Sequence, residues 1–520
     1  MQKTTILWVD DEIDLLKSHV LFLNEKGFEV ITAVSGNDAL ELIGKYNFDI
    51  VFLDENMPGM SGLEVLNVIK NTHPNIPVVM ITKSEEETIM EDAIGNKIAD
   101  YLIKPVNPNQ ILLSIKKNLD NKKLINEKTT ISFQQELRNI TLALSDVRDF
   151  DDWVELYKKI VYWDLELQKS KDTSLQDIIR LQKNEANAQF SKFIQKDYAK
   201  WLVTQTKDTP LMSHTIFKNK VSPLLDKDRP VFLLLIDNLR YDQWKVLQPI
   251  IDELYYTENE QVYCSILPTV TQYARNSFFA GLMPSEIRKY YSQFWSDNDD
   301  DEMGKNDHEA DLLEIQLKRL SKNIKFSYYK VLNYSFGKKL SESLSNLMSN
   351  KLNVIVYNFV DMLSHARTEM DVIKELASDE SAYRSLTLSW FQHSPLFEII
   401  KFLSEKNITL LITTDHGSVH VDTPSKVIGT KEITTNLRYK VGKTLQYNPK
   451  DVYEVRNPSE IFLPKDSIAS TYIFAKEDRF FAYPNNYNHY VNYYRNTFQH
   501  GGISMEEMLI PFVTLQPKMK

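Results

Sequence analysis

Cysteine is almost missing from this chain, which has one cysteine, Cys264, in 520 residues. A single cysteine excludes an internal disulfide and any zinc site built from several thiolates. A zinc site in this protein would therefore need histidine, carboxylate and hydroxyl ligands.

Long hydrophobic runs are also missing. Val231–Ile236 is among the longest, and it is far shorter than the roughly 20 apolar residues that cross a bilayer. The N-terminal segment turns acidic at Asp10, unlike a secretory signal. We therefore expect a cytoplasmic protein, and its length allows roughly two to four domains.

An excess of positive charge is missing as well. The formal net charge is −10, with 42% hydrophobic and 25% charged residues. This composition is typical of a globular protein and argues against a large nucleic-acid-binding surface. A DNA-binding regulator is therefore a disfavoured alternative, which tight promoter binding at physiological salt would revive.

Proline and glycine leave a long gap in the middle of the chain. No proline lies between Pro108 and Pro210, and no glycine lies between Gly95 and Gly281. Within this gap, residues 133–147 and 151–167 carry apolar side chains at helical spacing. We predict a small helical bundle over residues 120–205, with a solvated helical linker as the alternative.

The flanking segments alternate between strand and helix patterns. Residues 1–119 contain five short β-rich runs separated by amphipathic stretches, which predicts a doubly wound parallel sheet. Residues 206–520 contain buried-strand patterns at 231–237, 261–267, 353–361 and 408–415. We predict a second, larger α/β/α domain there, so the whole chain is of the α/β class.

Charged and hydroxyl residues follow the strands of the first predicted domain. Asp10 and Asp11 follow the first strand, Asp54 ends the third, Thr82 ends the fourth and Lys104 follows the fifth. The carboxyl ends of parallel strands border the ligand crevice of an open α/β sheet. There the Asp54 carboxylate can accept a phosphoryl group, and Lys104 can pair with its charge.

Oxygen ligands for Mg²⁺ are available beside Asp54. Asp11, Asp54 and the backbone carbonyl of Asn56 can coordinate the ion, and Asp10 can hold a water bound to it. The segments VDDE, LDENMPGMSG, MITKS and YLIKP occur in the order found in the receiver domain of bacterial response regulators, which residues 1–119 resemble. The resemblance implies phosphorylation of Asp54, with Thr82 and Tyr101 as the switch pair.

Polar clusters also mark the strand ends of the second predicted domain. The candidates are Asp237, Thr269, Thr271, Asp361, His365, Asp415, His416 and His500. Asp361 and His365 are four residues apart and would share one face of a helix. Asp415 and His416 are adjacent at a strand end, where alternating side chains diverge. Carboxylates with imidazoles suit Zn²⁺, with Mn²⁺ as second choice.

These residues resemble the alkaline phosphatase superfamily in its PglZ-like branch, over about 290 residues. The resemblance implies two zinc ions. It assigns one ion to Asp361, His365 and His500. It assigns the other to Asp237, Asp415, His416 and the hydroxyl of Thr271, which is then the nucleophile. Zinc would acidify that hydroxyl, and two ions about 4 Å apart can clamp a phosphoryl group.

Several assignments near the nucleophile stay open in the sequence. Thr269 lies two residues before Thr271 and would share its strand face, so it is the alternative nucleophile. Arg275 and Asn276 are both candidates to hold the phosphoryl oxygens. A helix starting near Tyr273 would direct its N-terminus at the phosphate. We find no clear acidic cluster for a third ion, which favours a diesterase over a monoesterase.

The complete domain order resembles a group of Bacteroidetes response regulators. The resemblance implies phosphorylation by a sensor histidine kinase, dimerisation on phosphorylation and control of type IX secretion. It also implies zinc-dependent phosphodiesterase activity on cyclic and linear oligonucleotides. The helical segment would then couple the receiver to the enzyme.

A second reading makes the C-terminal domain an interaction module. A zinc-stabilised fold would dock a sigma factor or a secretion protein, with catalysis secondary. The aromatic segments 290–295 and 480–494 fit either reading, since tyrosines there could stack nucleobases, pack as core or coat an interface.

Overall fold

The computed structural model describes residues 4–73, 76–82, 98–169, 173–204, 206–296, 306–370, 377, 379–429, 434–465, 467 and 469–518. Contacts divide the chain into two units, residues 1–135 and 136–520. None of the helices in the described residues is long and apolar enough to cross a membrane.

The first unit contains the predicted five-stranded parallel sheet. Its strands are β1 (Thr5–Val9), β2 (Glu29–Ala33), β3 (Ile50–Asp54), β4 (Val78–Thr82) and β5 (Asp100–Ile103). Their order is β2-β1-β3-β4-β5, and every pairing is parallel. The reversal of strand order between β1 and β3 places a crevice at their carboxyl ends.

Helices cover both faces of this sheet, which explains why its central strands β1, β3 and β4 are mostly apolar and buried, whereas the edge strands β2 and β5 are not. The helices are α1 (Lys17–Glu25), α2 (Gly36–Lys45), α3 (Gly62–Thr72) and α4 (Pro108–Asp146), which begins in the first unit and ends in the second. Leu7 and Val9 pack with residues of α2 and α3 in one core. Ile6 and Trp8 point to the opposite face and pack with residues of α1 and α4.

The second unit is built on a six-stranded mixed sheet. Its order is β7-β18-β10-β6-β9-β8. The strands are β6 (Val231–Ile236), β7 (Tyr255–Cys264), β8 (Phe326–Val331), β9 (Leu352–Tyr357), β10 (Thr409–Thr413) and β18 (Leu509–Pro517). All neighbours are parallel except β18, which is antiparallel to both β10 and β7. The carboxyl ends of β6, β7, β9 and β10 therefore meet at one edge of the sheet.

Smaller sheets are inserted between β10 and β18. They comprise β11 (Val419–Val421), β12 (Thr423–Lys426), β13 (Tyr439–Gly442), β14 (Val452–Val455), β15 (Thr471–Ala475), β16 (Arg479–Ala482) and β17 (Thr497–Gln499). They pair as β11-β17, β12-β16 and β13-β15-β14. The β11–β17 pair joins the segment after β10 to the segment that ends in His500.

Helices make up most of the remainder of the second unit. They are α5 (Phe150–Gln168), α6 (Thr173–Val203), α7 (Ser213–Ile216), α8 (Tyr241–Ile251), α9 (Thr271–Ala280), α10 (Pro284–Tyr290), α11 (Glu309–Arg319), α12 (Tyr334–Ser343), α13 (Phe359–Glu369), α14 (Glu380–Gln392), α15 (Pro395–Glu405), α16 (Tyr487–Tyr494) and α17 (Met505–Met508). The helix predicted near Tyr273 begins two residues earlier, at Thr271, and the strand patterns predicted at 261–267 and 353–361 end earlier, at Cys264 and Tyr357.

The helices α5 and α6 lie within the predicted helical segment and pack on each other. Phe150 meets Trp201 edge to face, and Trp153 meets Phe190 in the same way. Contacts group both helices with the C-terminal domain. The domain boundaries at 119/120 and 205/206 stay a prediction.

Candidate functional site: two adjoining donor clusters and a receiver pocket

The carboxyl ends of the parallel strands bring the predicted ligands of the second unit to one edge. Asp237 directly follows β6, and Asp415 and His416 follow β10. Asp361 lies in the first turn of α13, which begins two residues after β9. This is the edge at which open α/β sheets bind ligands.

The first cluster consists of Asp361, His365 and His500. One ligand atom from each lies within 4.8 Å of the others. His365 Nε2 is 3.6 Å from Asp361 Oδ2, and His500 Nε2 is 3.6 Å from Asp361 Oδ1. The His365 side chain is 53% exposed, so this cluster is open to solvent on one side.

The second cluster consists of Asp237, Asp415 and His416, and all three are buried. Their ligand atoms also lie within 4.8 Å of one another. Residue 417 must be glycine because the backbone of Glu506 passes close to it. A Cβ there would come within 2.0 Å of the Glu506 carbonyl oxygen.

The two clusters adjoin. The imidazole rings of His416 and His500 stack with their centroids 4.4 Å apart. The first cluster has one carboxylate and two imidazoles, and the second has two carboxylates and one imidazole. Both donor sets fit Zn²⁺ or Mn²⁺. The arrangement could therefore hold two cations side by side.

Burial shifts the protonation of this site. It raises the pKa of the Asp237 carboxyl, against the opposing effect of the Arg275 guanidinium. It also raises the pKa of Asp361, and it holds the pKa of His500 well below its usual range. Burial favours the neutral form of each group, whereas a bound cation would favour carboxylates beside neutral imidazoles.

The hydroxyls of Thr271 and Thr269 have different surroundings. Thr271 Oγ1 lies 3.5 Å from Asp237 Oδ1 and 3.2 Å from His416 Nε2, within the second cluster. Thr269 Oγ1 accepts from the backbone N–H of Gly501 at 2.9 Å and donates to the Gly502 carbonyl at 3.1 Å. Thr269 is thus engaged in fixing the loop beside His500, and Thr271 is placed among the metal-binding candidates.

Arg275 lies one turn after Thr271 on α9 and is completely buried. Its guanidinium forms an ion pair with Asp237 and bonds Asp415 Oδ2 at 3.0 Å. A third carboxylate, Glu309, lies 3.4 Å away. This geometry favours a role in orienting carboxylates. The predicted contact of Arg275 or of the buried Asn276 with phosphoryl oxygens stays a prediction.

Sequence reasoning missed Asn238, which lies between the two clusters. Its side-chain amide donates to Asp361 Oδ1 at 3.3 Å, and its backbone N–H approaches Asp415 Oδ1 at 3.5 Å. The sequence held no signal for this role, since it depends on a left-handed backbone and on three chain segments meeting. The residue following a strand-end aspartate is otherwise a common turn position.

A separate group of acids lies next to the helical segment and is already neutralised. It comprises Asp164, Asp242 and Glu380. The cations among them are Lys183, Arg240 and Arg384. With so many positive side chains in place, this group is a buried ion-pair network and does not resemble a cation site.

The predicted phosphorylation pocket of the first unit is formed by Asp10, Asp54 and Lys104. Lys104 Nζ lies 2.9 Å from both Asp10 Oδ2 and Asp54 Oδ1. Burial raises the pKa of Asp54, against the effect of Lys104. Burial would lower the pKa of Lys104, but the hydrogen bonds and the charges of Asp54 and Asp10 together outweigh it and raise the pKa.

Carboxylate oxygens for a hard cation are present in the same pocket. Asp10, Asp11 and Asp54 each place an oxygen within 4.8 Å of the others, which fits Mg²⁺. Asn56 is exposed two residues after Asp54. Thr82 is buried at the end of β4, and Tyr101 on the adjacent β5 is 43% exposed. Their predicted switch role is untested by this geometry.

The aromatic segment 290–295 contains both buried and exposed rings, and the segment 480–494 also has exposed tyrosines. Trp295 is buried and meets Tyr273 edge to face, so it forms part of the packed wall beside α9. Tyr490 and Tyr493 on α16 are each 38% exposed. Tyr290 of the first segment is 59% exposed, so both segments offer tyrosines that could contact a ligand or a partner.

Comparison with protein families divides the chain into three matched parts. Residues 6–116 match the response regulator receiver domain. Residues 123–202 match the PorX response regulator linker domain. Residues 216–515 match the BREX system PglZ alkaline phosphatase-like domain, which covers more than half of the chain.

Similar individual proteins match the receiver part. The transcriptional regulatory protein SrrA of Staphylococcus aureus strain NCTC 8325 is 32% identical over 111 residues, which are 21% of this chain and 46% of that protein. The chain thus spans about half the length of the curated relatives that it matches.

Solved structures match over the same region. The chemotaxis protein CheY4 of Vibrio cholerae is 31% identical and covers 22% of this chain and 98% of its own, with a TM-score of 0.21. The response regulator TrrA of Thermotoga maritima, solved with Mg²⁺ and BeF, gives the same four values.

Proposed function

Because this chain belongs to the PglZ family of alkaline phosphatase-like proteins and has the receiver, linker and PglZ order of the PorX response regulators, we propose that it is a response regulator with a zinc-dependent phosphodiesterase as its output. The observation that carries the proposal is the placement of Thr271 beside two adjoining donor clusters. The substrates that we propose are cyclic or linear oligonucleotides.

In this proposal Thr271 is the nucleophile. Bound zinc ions would supply Lewis acidity, which lowers the pKa of a nearby hydroxyl and stabilises charge on a phosphoryl group. Thr271 Oγ1 then forms a bond to phosphorus while the bond from phosphorus to the leaving alcohol breaks. Attack by water on the resulting threonyl phosphate releases the product and restores the hydroxyl.

The surroundings of Thr271 support phosphoryl binding. The residue is the first of α9, a helix of 10 residues, so it lies at the end of the helix where the first N–H groups have no partner within the helix ladder. The positive end of a helix dipole favours an anion. Water and substrate can approach from the side of the exposed His365.

Regulation would begin at the receiver. We propose that a sensor histidine kinase of the PorY type phosphorylates Asp54 with Mg²⁺ in the pocket. Phosphorylation would favour a homodimer and alter the output domain, and the regulated process would be type IX secretion. The ion pair between Lys104 Nζ and Asp54 Oδ1, 2.9 Å long, supports the proposed phosphorylation of Asp54.

The first experiment is to compare hydrolysis of a nitrophenyl phosphodiester with hydrolysis of its monoester, with zinc and after chelation. We expect zinc-dependent turnover that is faster on the diester. Thr271→Val keeps the side-chain shape and should lower kcat by a factor of about 1,000 or more, since it removes the nucleophile.

Matched variants separate chemistry from structure. Thr271→Ser retains a hydroxyl and should retain part of the activity, and Thr269→Ser should stay close to wild type because it preserves both loop bonds. A faster monoester reaction would identify a phosphatase. Absence of turnover in protein that holds two zinc ions would contradict the enzyme and favour the interaction module.

A further inference from the structure

Asn238 has an unusual backbone conformation for a buried residue at a strand end. Its φ is +62°, in the left-handed region, and its side chain is completely buried. Asparagine is one of the few residues with a side chain that enters this region readily. The left-handed turn directs the backbone N–H toward Asp415 while the side chain reaches α13.

The orientation of the Asn238 amide follows from its neighbours. Beside a bound cation Asp361 would be ionised and could only accept, so the amide nitrogen of Asn238 faces Asp361 Oδ1 at 3.3 Å. The same nitrogen lies 3.3 Å from Ser364 Oγ, whose proton is donated to the Asp361 carbonyl at 2.7 Å. Ser364 Oγ is therefore an acceptor toward Asn238 as well.

One residue thus contacts a carboxylate of each donor cluster. Asp361 belongs to the first cluster and Asp415 to the second. A hydrogen bond to one oxygen restrains the orientation of a carboxylate, and this restrains where its lone pairs can meet a cation. Asn238 is short and rigid, so it couples the positions of the two carboxylates.

We infer that Asn238 is a positioning residue that sets the separation of the two bound metal ions. The inference rests on the proposed function, because it requires both clusters to hold a cation. Asn238 would act only through Asp361 and Asp415 and would not touch the substrate. Its loss should therefore alter the geometry between the ions more than the number of ions bound.

Two variants test this assignment on the full chain. Asn238→Gly keeps the left-handed turn and removes the amide. Asn238→Asp keeps the shape but replaces the donor by an acceptor that faces Asp361. Asn407→Gly is the matched control, because Asn407 also has a left-handed φ, +55°, and lies in the exposed turn before β10.

The readout is the electron paramagnetic resonance spectrum of protein loaded with Mn²⁺. Two Mn²⁺ ions about 4 Å apart, as in two-metal phosphotransfer sites, give an exchange-coupled spectrum. We expect coupling in the wild type and in Asn407→Gly. We expect two ions but weakened or lost coupling in both Asn238 variants, with diester kcat lowered about 10- to 100-fold.

The outcomes separate this inference from the proposed function. Full coupling and wild-type kcat in Asn238→Gly or in Asn238→Asp would overturn the role of Asn238 and leave the proposed enzyme intact. Wild-type protein that binds fewer than two Mn²⁺ ions, or binds two without coupling, would overturn the paired site and the inference together. If one variant does not fold, the other decides.

Discussion

Arg275 is the side chain whose loss should disturb the candidate site most. It is buried with Asp237, Asp415 and Glu309, and no part of it reaches solvent. Removing one partner of a buried ion pair commonly costs about 3–5 kcal/mol, because the remaining charges stay buried. We expect Arg275→Ala to lower the free energy of unfolding by that order in urea denaturation.

Metal should offset part of this loss. A cation bound by Asp237 and Asp415 would compensate the same carboxylates, so added zinc should raise the stability of Arg275→Ala more than that of the wild type. Arg456→Ala is the control, because Arg456 pairs with Glu454 at the surface and is 82% exposed. Equal stability of Arg275→Ala and wild type without metal would show that the ion pairs contribute little.

Lys440 provides a prediction about pH. It is almost completely buried, and burial lowers its pKa from 10.5 to about 7. Between those two values the unfolded chain holds a proton that the folded chain lacks, so stability rises with pH across this window. Below about pH 7 the folded state carries the full cost of a buried ammonium group.

We expect Lys440→Met to remove this dependence. In the wild type, the free energy of unfolding should be about 2–4 kcal/mol higher at pH 9.5 than at pH 6.5 because of Lys440. In the variant this contribution should be absent. Urea denaturation at the two pH values measures it. The hydrogen bond of Lys440 to the Thr434 carbonyl, 2.6 Å long, opposes a gain in stability of the variant at both pH values. An unchanged pH profile would mean that Lys440 titrates as an exposed lysine does.

At the scale of elements, the helical segment is tied to the site edge by buried charges. Lys183 on α6 lies 2.6 Å from Glu380 on α14 and 3.4 Å from Glu506 on α17. Asn187 of α6 donates to Glu506 at 3.0 Å. Because the backbone N–H of Gly417 donates to the neighbouring Glu507 carbonyl, this network reaches the residue after His416.

Two lysines on α6 allow a matched comparison. Lys183→Met should lower the free energy of unfolding by about 3–5 kcal/mol, because it leaves Glu380 and Glu506 buried with less positive charge. Lys200→Met should have little effect, since Lys200 is 63% exposed in its pair with Asp197. Urea denaturation of both variants measures the two free energies of unfolding. Equal values would show that the ion-pair network does not stabilise the fold.

The sequence allowed some elements to be predicted better than others for a physical reason. Every residue of Val231–Ile236 and Leu352–Tyr357 is buried, so these central strands are continuous apolar runs. Phe326–Val331 was not predicted, because it is mostly half-buried and has no simple apolar pattern. Leu509–Pro517 was also missed, since prolines within it disfavour a strand assignment.

Some site residues could likewise be predicted from the sequence, and others could not. The carboxylates and histidines could be proposed because their residue types are chemically specific and each follows a strand. The structure brings Asp361, His365 and His500 together from segments far apart in the chain. Asn238 and the ion pairs of Arg275 depend on how separate segments approach, and no local pattern reports such approaches.

At the scale of the whole molecule, one chain joins a receiver to an alkaline phosphatase-like domain. The helix Pro108–Asp146 begins in the first unit and ends in the second. Phosphorylation adds roughly 1.5–2 negative charges beside Lys104. Such a change in charge can shift the equilibrium between two conformations of the receiver. The second unit would then respond to the conformation that phosphorylation favours.

We expect phosphorylation of the full chain to change both oligomeric state and activity. Treatment with an acyl phosphate and Mg²⁺ should convert the wild type to a dimer in light scattering. The rate of diester hydrolysis should change by about fivefold or more, because energetic coupling between two sites of a protein usually amounts to at least about fivefold. Asp54→Asn is the control, because it retains the pocket and cannot form the acyl phosphate; it should show neither change. If the wild type also shows neither change while Asp54 is demonstrably phosphorylated, the receiver does not control the alkaline phosphatase-like domain.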